Sequence, residues 1–153
     1  MELKRLCIEN LNIAIELTNE IKCLIHKNKF TEAINVVADV LYVLGQTLLC
    51  INRAEFNRMF NTHESDTYKG KTKPAEMTMS SPENMCLQLV DAAINNLQQA
   101  KQYIKQNRWE DAENIIATTI SGRILRCLNS LQQKDQHSYP PVCTYPSKKY
   151  KNS

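Results

Sequence analysis

Three Gly and five Pro in 153 residues leave little material for tight turns. All five Pro lie beyond Lys73, outside the regular hydrophobic pattern or at its edge. Aromatic residues make up 7% of the chain, with a single Trp. So few breakers and strand-favouring aromatics, beside abundant Leu, Ile, Asn, Gln, Lys and Glu, predict helices rather than strands. With Gly only at 45, 70 and 122, the chain has no Gly-rich loop able to cradle a phosphate. No Ser-His-Asp spacing is present either, and His137 stands alone near the C-terminus. Long apolar runs are also missing. The longest, residues 34–51, is interrupted by Asn35, Asp39, Gly45 and Gln46 and reads as a buried helix rather than a membrane span. The first 22 residues carry charges throughout, unlike a secretory h-region. The expected setting is therefore cytoplasmic, with no membrane partner.

Charge is scarce in another sense. The net charge is +3, and residues 132–153 hold four Lys and one Asp, which accounts for all of it. A neutral body does not point to nucleic acid as the main partner. Tyr139, Tyr145 and Tyr150 beside the late Lys residues leave a minor acidic-surface or nucleic-acid reading for the tail alone. The six Cys, at 7, 23, 50, 86, 127 and 143, read as small apolar core residues of a reduced chain rather than a disulfide framework.

What is present is a repeated phrase. "KNKFTEAINVV" (Lys27–Val37) returns as "QNRWEDAENII" (Gln106–Ile116). Shifting the second half back by 79 residues aligns Cys86 with Cys7, Val90 with Leu11, Ala93 with Ala14, and Ile104 with Ile25. Asn107 then meets Asn28, Trp109 meets Phe30, Ala112 meets Ala33, and Leu128 meets Leu49, without a gap over about 45 residues. Helical 3–4 spacing runs through Ile8, Leu11, Ile15, Thr18 and Ile25, and again through Leu87, Val90, Ile94, Leu97 and Ile104. The return segments, about 31–60 and 109–131, carry equally broad apolar faces. Thr31 or Asn28 is the expected cap of the second helix, and Ser81 with Pro82 the expected start of the third. Gly45, in mid-helix, is expected to let two helices approach closely.

The predicted fold is all-α: an antiparallel four-helix bundle of two αα-hairpins over residues 1–131, followed by a disordered basic tail over 132–153. The hairpins occupy 1–60 and 81–131, joined by a connector over 61–80.

Within the second hairpin, Ser81-Pro82-Glu83, Leu89, Asp91, Ala93, Gln99-Ala100 and Asp111-Ala112 follow one another in an order that resembles the flagellar export chaperones that hold flagellin, the FliS family. The resemblance covers residues 81–131. Val90 stands where that family favours Tyr, and Ala92 where it favours Gly. The hairpin is the family's first, whereas here another precedes it. The resemblance implies an apolar groove that holds an export substrate such as flagellin.

The expected function is non-enzymatic protein binding, as a chaperone or adaptor, with no cofactor and no metal. Tyr42, Leu49, Val90, Ile94 and Leu97 are the candidate groove residues, and Trp109 is either an aromatic anchor or a plug at the hairpin mouth. Two other classes compete. Arg58 and His63 have the R-x4-H spacing of helical-bundle ribonucleases and toxin-antitoxin components. A homodimer packing its second helix across a two-fold axis is the third. Cys23-x-x-His26 places two metal-binding side chains on one helix face, but no second pair follows.

Overall fold

The computed structural model of the chain describes residues 2–62 and 82–134. The expected connector, apart from its first residues on a helix, lies outside them. So do Ser81, His63 and all of the expected tail beyond Lys134.

Five α-helices follow in order: α1 (Glu2–His26), α2 (Phe30–Thr62), α3 (Pro82–Lys105), α4 (Trp109–Thr119) and α5 (Leu125–Lys134). A single π-turn, Ile120–Ile124, joins α4 to α5, so the last two act as one interrupted rod. α1 packs on α2 and α3, and α2 packs on α1 and the α4–α5 rod. α3 packs on α1 and the rod, and neither diagonal pair touches. The result is the four-helix bundle of two αα-hairpins predicted from the repeat.

Two contacts fix how the hairpins meet. Lys22 Nζ lies 2.9 Å from Asp91 Oδ1, and Lys4 Nζ donates to the Lys105 carbonyl at 3.5 Å. Early α1 thus meets late α3, and the two helices run antiparallel. Lys4 also sets a cation on the negative end of the α3 dipole.

The repeated phrase is a chain-reversal device. Asn28 and Asn107 are the two non-Gly residues with positive φ among the described residues, at 59° and 62°. In the first copy, Asn28 N–H donates to the Ile25 carbonyl (3.0 Å) and Lys29 N–H to the Leu24 carbonyl (2.9 Å). In the second, Asn107 N–H reaches Ile104 and Arg108 N–H reaches Tyr103, at 3.0 and 2.7 Å. This is the Schellman helix end, in which one left-handed residue lets two following N–H groups satisfy the last carbonyls. Asn28 therefore closes α1 rather than capping α2, and Thr31 sits inside α2. In the second copy the Arg108 guanidinium lies 4.5 Å over the Tyr103 ring and pairs with Asp111 at 2.7 Å, so the turn is held by side chains as well. Asn28→Ala or Asn107→Ala should each cost about 1 kcal/mol, because a Cβ-bearing residue without a short polar group resists the left-handed region. Asn→Gly at the same sites should hold or raise stability. Urea unfolding of the four variants checks both.

The core follows the repeat. Leu11 and Val90, Ala14 and Ala93, Ile25 and Ile104, Ala33 and Ala112, and Val37 and Ile116 are all fully buried pairs. Thr18 stands where the second copy has Leu97, and Ile21 where it has Ala100, so volume is exchanged between adjacent turns. The buried hydroxyls of Thr18, Thr47 and Thr119 donate to the carbonyls four residues back, at 2.7, 2.9 and 2.7 Å.

The gapless 79-residue offset fails past the π-turn. There Leu125 N–H donates to the carbonyl of Ile120, five residues back, and the rod takes in one extra residue. Beyond it the burial pattern matches at an offset of 80. Leu44 pairs with Ile124, Thr47 with Cys127, Cys50 with Ser130, and Ile51 with Leu131, every one buried. Leu128 accordingly matches the half-buried Leu48, and the exposed Leu49 matches the exposed Asn129. Gly45 also departs from expectation. A Cβ built there meets nothing within 4 Å, so no described helix exploits its small size. Of the described cysteines, Cys7, Cys50, Cys86 and Cys127 are buried as expected, whereas Cys23 is exposed.

Candidate protein-binding face

The candidate groove residues divide by depth. Val90 and Leu97 are fully buried and face the core, leaving no surface for a partner. Trp109 is buried and Ile94 partly buried, both packed into the same cluster, which gives Trp109 the role of plug at the hairpin mouth. Tyr42 and Leu49 instead point outward from α2, 43% and 58% exposed. The expected groove is thus not brought together. Its two outer members stand on one helix face, seven residues apart and so two turns along the axis. Gly45 lies between them with open space above it.

A third apolar side chain, missed by the sequence reading, belongs to the same hairpin. Leu6 on α1 is 48% exposed. It lies off the 3–4 stripe of α1, and a lone Leu outside a stripe carries no periodic signal. Leu6 follows Leu3 by one turn, and together with Arg5 and Glu9 they line a shallow cleft of about 270 Å³ among the described residues. Arg5 and Glu9 form an ion pair at 3.9 Å beside it. Cys7 and Cys50 face each other across the hairpin, so Leu6 and Leu49, their chain neighbours, stand at the same level on α1 and α2.

The two copies differ at these positions. Tyr42 corresponds to the exposed Ser121, Leu49 to the exposed Asn129, and Leu6 to the half-buried Met85. At two of these three positions hairpin one carries an exposed apolar side chain where hairpin two carries a polar one. Leu125 is the one large exposed apolar residue described on the second hairpin.

α2 is long and apolar enough over Phe30–Arg53 to cross a membrane by length and composition, yet more than half of its most apolar window is buried inside the bundle. Its hydropathy is explained by packing against two neighbours, α1 and the α4–α5 rod.

The other sequence candidates gain no geometry. Arg58 lies on α2 and its supposed partner His63 lies outside the described residues. Cys23 and His26 are exposed at the end of α1, and no group of three or more metal-binding side chains exists among the described residues.

Comparison of the chain with protein-family models, curated proteins and solved structures finds no match.

Proposed function

We propose that the protein is a non-enzymatic binding module that holds an amphipathic helix of another protein along the outer face of α2. The observation that carries this reading is the Tyr42–Gly45–Leu49 face, whose two exposed anchors are replaced by Ser121 and Asn129 on the other hairpin, where Leu125 fills the place of the Gly45 notch. Its spacing of three, four and seven matches the anchors of helix-in-groove recognition. Gly45 supplies a notch into which a partner backbone can settle, flanked by an aromatic and an aliphatic anchor. Tyr is enriched among residues that dominate binding energy. The resemblance of residues 81–131 to the flagellin chaperones makes an export segment such as flagellin the first partner to test, in a cytoplasmic setting.

Affinity capture with the wild-type protein is expected to retain a partner that Tyr42→Ala/Leu49→Asp loses. For a purified partner, the double variant should weaken binding by about 30-fold or more, the effect of removing about 2 kcal/mol of anchor energy. Both positions are exposed, so the melting temperature should stay nearly unchanged. Unchanged capture by a folded double variant sinks the proposal. A wild-type dimer, measured by light scattering and lost in the variant, would instead assign the face to a second copy.

A further inference from the structure

The four buried thiols form two facing pairs. Cys7 of α1 lies beside Cys50 of α2, and Cys86 of α3 beside Cys127 of α5. In the second pair, Cys86 Sγ also donates to the Cys127 carbonyl at 3.5 Å. Each pair lies at the open end of its hairpin, and because α1 and α3 are antiparallel the pairs sit at opposite ends of the bundle. All four sulfurs are free thiols.

The way each pair is assembled is informative. Cys7 and Cys86 hold equivalent positions, but their partners do not. Cys50 corresponds to Ser130, and Cys127 corresponds to Thr47, one turn away. The return helix of each copy thus carries one thiol and one hydroxyl at these two levels, in exchanged order. Ser130 is itself in contact with Cys86 and donates to Met85 Sδ at 3.4 Å. Packing alone is met by a small residue at either site. A dithiol needs one sulfur on each helix, which is what both copies have by different substitutions.

We propose that each pair is a reversible dithiol–disulfide site, with hydrogen peroxide as its oxidant. A thiolate attacks one peroxide oxygen, the O–O bond breaks, and after protonation one water leaves, giving a sulfenic acid. The facing thiol, losing its proton, attacks that sulfur, the S–O bond breaks, and a second water leaves. Two thiols lose two electrons and two protons, and one peroxide becomes two waters. Burial pushes the Cys7 thiol up, reinforced by its contact with Cys50. Its contact with Cys86, and then burial, push the Cys127 thiol up as well. Contact with Cys127, helped by Ser130, outweighs burial at Cys86 and lowers its thiol, so thiolate is scarce at Cys7 and Cys127 and favoured at Cys86, and access for the oxidant follows opening of a hairpin end. Cys50, 6% exposed against 1% or less for the other three, is the most accessible of the four sulfurs.

The test uses the full-length Cys23→Ser/Cys143→Ser protein, which keeps only these four thiols, treated with hydrogen peroxide under native conditions. Intact mass should fall by about four hydrogens, and non-reducing peptide maps should show Cys7–Cys50 and Cys86–Cys127. The melting temperature should rise by about 10 °C and return on reduction. Oxygen adducts without links, links between the two pairs or between chains, or links formed only in denaturant would each overturn the proposal.

Discussion

Deleting Gly122 leaves the bundle folded, within about 1 kcal/mol of the parent, whereas deleting Gln46 costs about 3 kcal/mol or more. Both residues are on the outer surface or near it, and neither deletion removes a core side chain. The difference lies in register. The π-turn Ile120–Ile124 already holds one residue more than an α-helix needs. Taking one out lets α4 and α5 close into a continuous helix, with Ile124, Cys127 and Leu131 still facing inward. At Gln46 the helix is regular, and losing a residue turns everything after it by about 100°. Thr47, Cys50 and Ile51, all buried, would swing out of the core. Urea unfolding followed by circular dichroism measures both. Equal costs would mean that the π-turn is not an absorbed insertion.

Leu97→Ala is expected to lower stability by about 3 kcal/mol, within the usual range for a fully buried Leu truncated without collapse of the site. The same substitution should leave partner affinity unchanged per folded molecule. Leu49→Asp should do the reverse, weakening binding with little change in melting temperature. The pair separates core from contact surface, although both are Leu residues on helices. Calorimetric melting with a binding titration on the same samples checks it, and loss of affinity in folded Leu97→Ala would return that residue to the binding face.

The hairpin architecture was legible because the repeated phrase contains its own turn. An Asn able to adopt positive φ, an aromatic at the next helix start and an Ala one turn later are local signals, and they hold in both copies. The π-turn was not legible. An insertion that a helix absorbs by widening one turn leaves the apolar face intact on both sides. The run Ile120, Ile124, Leu125, Leu128 supplies apolar residues at three, four and five residue steps, so periodicity cannot say where the extra residue sits. The exposed face proposed for binding was only half legible, for a related reason. Apolar residues of core and surface look alike when a helix packs against two neighbours, as α2 does. Tyr42 and Leu49 differ from Val90 and Leu97 by a rotation about the helix axis that only packing reveals. The expected close approach at Gly45 fails because the residue sits on the outward side of α2, where no described neighbour comes within 4 Å of a Cβ built there.

The ion pair between Lys22 and Asp91 bears on what each half would do if parted from the other. Its image under the pseudo-two-fold of the bundle joins Lys101 to position 12, where the residue is Asn12. Two copies of the second hairpin, docked on each other in the native manner, would set Lys101 against Asp91 twice. Two copies of the first would set Lys22 against Asn12 and make no such pair. Each exposed pair contributes no more than about 1 kcal/mol. The difference still gives a direction: the isolated second hairpin is the better self-partner, and at high concentration intact chains that exchange hairpins would join through it.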